Sequence, residues 1–146
     1  MSKPARIIGL DYGDKTIGVA VSDPLGLMPL GVETIRRDRE SAIKASIRRL
    51  KELLDYYAPV STIVLGFPKN MNNSQGERCV KTLAFKEKLV RTFNEVEVVL
   101  WDERLSTAGA RRTLSGYTEE KSVIDEMAAV FILQGYMDFI KNRKED

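Results

Sequence analysis

Short apolar runs separated by turn residues dominate the first third of the chain, a pattern typical of hairpin-linked strands. These runs predict strands over 6–11, 17–22 and 31–35, which would form an antiparallel meander. Two later runs rich in β-branched residues predict buried strands over 61–66 and 96–101. The pattern therefore indicates five strands, three of them consecutive.

Between and after the later strands, apolar residues recur at the three-to-four-residue spacing of helices. This spacing predicts helices over 39–57, 77–93 and 122–141, and a short helix over 106–114 that Ser106 or Thr107 can cap. In the second helix the residues predicted to face inward are Val80, Leu83, Val90 and Phe93. The order βββαβαβαα predicts an α/β fold with a mixed five-stranded sheet and helices packed on its faces.

Length and composition indicate one globular domain over residues 1–146. No apolar run approaches the roughly 20 residues of a membrane helix, so no membrane partner is expected. The first strand begins too early for a signal peptide to precede it. The only cysteine, Cys79, cannot form an internal disulfide, which fits a reducing compartment. We expect a cytoplasmic protein.

The chain contains no histidine. This excludes a Ser-His-Asp or Cys-His triad and any zinc site that needs imidazole. The remaining reactive groups are carboxylates, lysines, hydroxyls and bound metal ions. Carboxylate oxygens suit hard cations such as Mg²⁺ or Mn²⁺.

Three acidic positions lie where predicted strands end. Asp11 ends the first strand, and Asp102 and Glu103 end the fifth. Sites in open α/β sheets form beyond the carboxyl ends of the strands, so these acids converge if the two strands are parallel and near one another. Neighbouring side chains on a strand point to opposite faces, so only one of Asp102 and Glu103 enters such a site. The longer side chain favours Glu103.

A further acid, Asp125, lies near the start of the last helix and has two interpretations. Ser122 stands three residues before it, as in a capping box, and the helix dipole also favours an acid there. Alternatively, Ala128 and Ala129 on the same face let the helix approach the sheet and hold Asp125 over the strand ends. Acids gathered there need a cation. Two bound metal ions would support phosphodiester hydrolysis without histidine.

Four blocks of the chain, in order between Ile7 and Met137, resemble the YqgF/RuvX family: IIGLDYGDKTIGVAVSD, VLGFPKNMNNSQGER, DERLSTAGARR and VIDEMAAVFILQGYM. The resemblance implies a ribonuclease H-like fold and a Holliday-junction-resolvase-like nuclease, with a role in maturing the 5′ end of 16S ribosomal RNA. It implies that Asp11, Glu103 and Asp125 are the catalytic, metal-binding acids, with Asp102 as an alternative ligand. Two positions depart from the family pattern. Thr16 follows Lys15 where an arginine is usual, and Asn73 replaces a frequent glycine.

The net charge of +2 does not by itself identify a nucleic-acid-binding protein. Basic residues nevertheless cluster in two stretches, and we expect a nucleic-acid backbone to lie across Arg48, Arg49, Arg111 and Arg112. Nearer the strand ends, the candidate phosphate contacts are Lys15, Arg104, Ser106 and Thr107. For each cluster the alternative is an ordinary solvated helix face.

The expected function is that of a metal-dependent nuclease acting on structured RNA such as pre-16S ribosomal RNA. Branched DNA is an alternative substrate, and a non-catalytic RNA-binding assembly factor on the same fold is an alternative function. A nucleotide-handling enzyme of the actin and sugar-kinase type has a similar first phosphate loop, but such proteins need two related domains. We expect a monomer or a weak homodimer.

Overall fold

The computed structural model describes residues 4–67, 73–102 and 121–145. The strands are β1 (Arg6–Tyr12), β2 (Thr16–Ser22), β3 (Pro29–Arg36), β4 (Val60–Phe67) and β5 (Glu97–Asp102). The helices are α1 (Ile43–Tyr56), α2 (Asn73–Thr92) and α3 (Lys121–Glu145). These elements confirm the predicted strands and the three long helices to within a few residues at each end. The short helix predicted over 106–114 lies outside the described residues.

All five strands form one mixed sheet in the order β3-β2-β1-β4-β5. The first three strands pair antiparallel as a meander. Strand β4 pairs parallel with both β1 and β5, so β1 and β5 run in the same direction with one strand between them. Their carboxyl ends therefore lie at the same edge of the sheet, as predicted.

Two apolar clusters cover the two faces of the sheet. On one face, alternate residues of the central strands, including Ile8, Leu10 and Ile17, pack against α1 and α2. On the other face, Ala20 and Val64 pack against α3. The strand alternation thus assigns each residue of β1 and β2 to an α1/α2 face or to an α3 face. None of the helices in the described ranges is both long enough and apolar enough to cross a membrane.

The inward face predicted for α2 is mostly wrong. Val80, Leu83 and Val90 are 68%, 43% and 46% exposed, and only Phe93 of the predicted set is buried. The buried residues of this helix follow the spacing of a single stripe, Thr82, Phe85 and Leu89 before Phe93. Apolar side chains that fall outside this stripe misled the prediction. In α1, by contrast, Leu50 and Leu54 recur at helical spacing and are both buried.

Two glycines of the sheet allow α3 to lie unusually close to it. A Cβ on Gly9 of β1 would lie 2.8 Å from the Cβ of Leu133. A Cβ on Gly18 of β2 would clash with the backbone carbonyl oxygen of Asp125. The predicted close approach of the helix thus depends on glycine at positions 9 and 18 of the sheet as well as on the small Ala129 in the helix.

Candidate active site

Asp11 lies on the α3 face, one residue before the end of β1. Ile8 and Leu10 belong to the α1/α2 cluster, so the alternation puts Gly9 and Asp11 on the opposite face. The side chain is only 3% exposed. Across the sheet Asp11 stands directly opposite Gly18 of β2.

Asp125 reaches the same place from α3. It is the fifth residue of that helix, is 3% exposed, and its backbone carbonyl covers Gly18. Its carboxylate oxygen Oδ2 accepts a hydrogen bond of 2.9 Å from the hydroxyl of Thr16 on β2. The structure therefore places both Asp11 and Asp125 next to Gly18, Asp11 on the adjacent strand and Asp125 on the helix above it, although they come from opposite ends of the chain.

The capping interpretation of Asp125 is not what the structure shows. Helix α3 begins at Lys121, so Ser122 is a helical residue and not the residue that precedes the helix. Asp125 lies in the second turn, and no acidic residue occupies the first turn. Its carboxylate accepts a hydrogen bond from the sheet. Asp125 thus belongs to the junction between α3 and β2.

The end of β5 contributes the remaining acids. Asp102 is the last residue of β5 and pairs with Phe67 at the end of β4. Leu100 packs against the α1/α2 cluster, whereas Trp101 contacts Tyr136 of α3 edge to face. The alternation therefore assigns Asp102 to the α1/α2 face, opposite Asp11 and Asp125. Glu103 lies outside the described residues.

The turn between β1 and β2 is held by Arg37, whose role was not apparent from the sequence. Its Nη2 donates to the carbonyl of Gly13 at 2.7 Å, and its backbone N–H donates to the carbonyl of Lys15 at 2.9 Å. The guanidinium is buried and lies 5.1 Å from the ring centroid of Tyr12. The turn lies between Tyr12, the neighbour of Asp11, and Thr16, so Arg37 helps to fix the strand ends that carry Asp11 and Thr16.

Tyr12 closes the α1/α2 side of this turn. Its ring stacks on Phe85 of α2 with centroids 4.3 Å apart. Burial raises the pKa of the Tyr12 phenol, while the Arg37 guanidinium acts in the opposite direction. Arg78 of α2 also donates to the Tyr12 carbonyl at 3.4 Å. The backbone next to Asp11 is thus packed from the side opposite α3.

The basic residues predicted to contact nucleic acid fall into three groups. Lys15 is exposed in the turn between β1 and β2, close to Thr16. Arg48 and Arg49 are exposed on α1, across the sheet from the two buried acids. Arg49 forms ion pairs with Glu33 at 2.6 Å and Glu52 at 3.3 Å, so two carboxylates already balance its charge. The predicted residues Arg104, Ser106, Thr107, Arg111 and Arg112 lie outside the described residues.

The chemistry of the acids fits a hard divalent cation. Asp11 and Asp125 are both buried next to Gly18, and like charges close together in a protein are costly unless a cation balances them. Carboxylate oxygens are the ligands that Mg²⁺ and Mn²⁺ prefer. Within 4–67, 73–102 and 121–145, no group of three or more acidic, histidine or cysteine side chains is placed to hold a metal. The described residues thus contribute two of the predicted acids, Asp11 and Asp125, to such a site.

Comparison with curated proteins identifies close relatives over nearly the whole chain. A protein of Agathobacter rectalis is 48% identical over 143 residues, covering 95% of this chain and 99% of its own. Proteins of Staphylococcus carnosus and Acetivibrio thermocellus are 46% and 43% identical, with at least 91% of this chain covered. Each of the three carries the name "Putative pre-16S rRNA nuclease".

Structural and family comparisons point the same way. RuvC of T. thermophilus, solved in complex with a Holliday junction substrate, matches with a TM-score of 0.58 at 14% identity, covering 94% of this chain and 96% of its own. This likeness confirms the predicted ribonuclease H-like fold. The model of the RuvX family, described as Holliday junction resolvase, matches residues 5–139. With this match and relatives at up to 48% identity, the chain belongs to the RuvX family.

Proposed function

We propose that this protein is a divalent-metal-dependent nuclease that hydrolyses phosphodiester bonds in the 5′-end maturation of pre-16S ribosomal RNA. The observation that carries the proposal is that two buried acids, Asp11 and Asp125, both lie next to Gly18 on the α3 face of the sheet. The names of the relatives support the substrate, and membership of the RuvX family supports nuclease chemistry.

Both acids are buried, and Asp125 accepts a hydrogen bond from Thr16. Burying a carboxylate costs several kcal/mol unless its partners compensate, and a well-packed apolar pair is often at least as stable. Here Asp125 lies where the backbone of α3 touches Gly18 of β2, and Asp11 of β1 lies opposite Gly18. A chain that keeps two acids at such a close contact, with no histidine elsewhere, fits a site built for a cation.

In this proposal Asp11 and Asp125 hold the metal together with Glu103. We assign Glu103 in preference to Asp102 because strand alternation gives Asp102 to the other face of the sheet. When bound, Mg²⁺ or Mn²⁺ would polarise the phosphate and lower the pKa of a water molecule that attacks it. The Thr16 hydroxyl fixes the orientation of the Asp125 carboxylate by donating to Oδ2. Arg37 fixes the turn that joins Asp11 to Thr16.

The substrate proposal favours RNA and keeps branched DNA as the second candidate. The curated relatives are named for pre-16S ribosomal RNA, whereas the family model is described for Holliday junctions. Trimming one RNA end needs a single active site, so we propose a monomer or a weak homodimer. Ribosomal RNA maturation would place the protein in the cytoplasm. At the site itself, the substrate backbone would pass the exposed Lys15 beside the acids.

Cleavage of a labelled 16S precursor fragment by the Asp11→Asn variant tests the proposal. We expect the native protein to cut with Mg²⁺ or Mn²⁺, and the variant to lose at least about 100-fold in rate because a metal ligand loses its charge. Asp23→Asn is the matched control. Asp23 lies beyond the other end of β2, where it accepts a hydrogen bond from the Leu27 backbone. This control should cut like the native protein.

Cleavage of a four-way DNA junction, measured in parallel with cleavage of the RNA fragment, distinguishes the two substrate classes.

Thermal unfolding adds a measurement that does not depend on cleavage. At about 100 times its dissociation constant, Mn²⁺ should stabilise the native protein by about 2.7 kcal/mol and should stabilise Asp11→Asn much less. Equal cutting by native and Asp11→Asn proteins would disprove the assignment of the acids. Binding of RNA by the native protein without any cutting would favour the non-catalytic assembly factor.

A further inference from the structure

The pairing of β2 with β3 brings an arginine to the acids from a third strand. In this antiparallel pair, Arg36 at the end of β3 stands directly opposite Thr16. Directly opposite residues of an antiparallel pair point to the same face, with Cβ atoms about 5 Å apart. Thr16 donates to Asp125 of α3, so this face is the α3 face. Arg36 therefore lies on the face of the sheet that carries Asp11 and Asp125.

The residues on either side of Arg36 support this assignment independently. Ile35 belongs to the α1/α2 cluster, and the buried Arg37 guanidinium lies over the Tyr12 ring on that same side. Alternation along β3 then directs Arg36 away from α1 and α2. Arg36 is exposed to solvent, in contrast to its buried neighbours on both sides.

Arg36 differs from two other cations, Arg49 and Lys81, which are already paired with carboxylates. Glu33 of β3 pairs with Arg49 on the α1/α2 side. Lys81 of α2 is paired with Glu40 at 2.7 Å and with Asp14 at 3.6 Å. In the part of the chain that the structure describes, no carboxylate lies within salt-bridge distance of Arg36. Its planar guanidinium is thus available to form two parallel hydrogen bonds with a phosphate.

A nucleic-acid backbone that approaches Asp11 and Asp125 meets two negative charges, which repel it. A cation beside these acids offsets the repulsion. Two cations flank Thr16 in this way. Lys15 precedes it in the turn, and Arg36 faces it across the pair of strands. The backbone N–H of Arg37 also donates to the Lys15 carbonyl, which ties the end of β3 to the turn.

We propose that Arg36 binds a backbone phosphate of the nucleic acid next to the bond that is cut, on the β3 side of the Asp11–Asp125 site. This inference rests on the proposed nuclease function and adds a binding residue to it. It directs the substrate across the β3 edge on the α3 face. Arg49, paired with two acids on the other side of the sheet, takes no part in this contact.

Binding measured in the Asp11→Asn background tests the proposal without cleavage. The probes are a fluorescently labelled 16S precursor fragment and a labelled four-way DNA junction, titrated between 50 and 200 mM salt. Adding Arg36→Ala should raise the dissociation constant about tenfold or more, because a charge-assisted phosphate contact is lost. The slope of log affinity against log salt should fall by about one.

Three further variants make the result specific. Arg36→Gln should behave like Arg36→Ala. Arg36→Lys keeps the charge but loses the two parallel hydrogen bonds, so it should lose an intermediate amount of affinity while keeping the native salt slope. Arg91→Ala is the matched control, since Arg91 is also exposed and lies in the last turn of α2. Its removal should change the dissociation constant less than twofold. Thermal unfolding confirms that each variant is folded.

The outcomes distinguish the inference from the function on which it rests. If the native protein cuts nucleic acid and neither Arg36→Ala nor Arg91→Ala weakens binding, the inference is wrong and the nuclease proposal stands. An equal loss in Arg36→Ala and Arg91→Ala indicates unspecific attraction and also overturns the inference. If the Asp11→Asn protein binds neither probe and the native protein cuts neither, the proposed function and the inference fail together.

Discussion

The contact between Gly18 and Asp125 predicts a large effect from the smallest possible substitution, Gly18→Ala. The added Cβ would clash with the carbonyl oxygen and carbonyl carbon of Asp125 and would lie 3.2 Å from the backbone nitrogen of Glu126. Real Cβ atoms essentially never come closer than 3.0 Å to such neighbours. All three of these atoms belong to the backbone, so no side-chain rotation can relieve the overlap. Helix α3 must move away from β2.

The magnitude follows from the cost of overpacking a well-packed interface, about 1–3 kcal/mol. Alanine in a strand would ordinarily gain about 0.5–1 kcal/mol over glycine, which offsets a small part of this cost. In a domain of this size 1 kcal/mol shifts the melting temperature by about 2–4 °C. The net cost is about 0.5–2 kcal/mol, so we expect Gly18→Ala to melt about 1–8 °C lower than the native protein. Activity should fall further, because the displacement separates Asp11 from Asp125.

Urea and thermal unfolding measure the stability, and cleavage of the 16S precursor fragment measures the activity. The chain offers a matched control in Gly76 of α2, where an added Cβ meets nothing within 4 Å. Gly76→Ala should raise stability by about 1 kcal/mol, since alanine favours the helix more than glycine does. A Gly18→Ala protein as stable and as active as the native protein would show that α3 does not lie on β2 as described.

Two smaller substitutions test the surroundings of the acids. Thr16→Val removes the hydroxyl that donates to Asp125 and should cost about 1.5–3 kcal/mol in urea unfolding, whereas Thr16→Ser should cost much less; equal losses in the two variants would contradict a role for the hydroxyl. For Tyr12, burial raises the pKa of the phenol above its ordinary value of 10.0. The folded state therefore holds the phenol proton more tightly than the unfolded state. The stability that Tyr12 contributes is fully present below pH 10 and declines as the pH rises above 10. Tyr12→Phe lacks this titration, so the stability of the native protein relative to Tyr12→Phe should decrease between pH 9 and pH 11; a constant difference would contradict the buried phenol.

The local pattern of apolar residues was sufficient to predict the strands and largely sufficient to predict the helices. The meander, the order of elements and the burial of Leu50 in α1 all follow from spacing and turn residues. In α2 the same reasoning failed. Val80 and Leu83 are apolar yet 68% and 43% exposed, because only one stripe of the helix meets the sheet. Spacing shows that such a stripe exists, but the sheet determines which stripe is covered.

The candidate site was likewise predictable from the sequence only in part. The absence of histidine and the position of Asp11 at a strand end pointed to carboxylate chemistry before any contact was known. For Asp125 the sequence allowed a helix cap or a site acid, and the hydrogen bond from Thr16 and the contact with Gly18 distinguish them. Arg37 looked like one member of a basic stretch, although its position two residues after the buried Ile35 was a signal that it points inward.

The sequence by itself determined the kinds of element, their order and the chemistry that the side chains can perform. These properties depend on neighbours a few residues apart, and local spacing records them directly. Only the tertiary structure decided which residues meet. Thr16 and Asp125 are 109 positions apart, and Arg36 joins them only through the register of β2 with β3. A shift of that register by one residue would turn Arg36 to the other face, so its position beside the acids is a property of strand pairing that no local pattern contains.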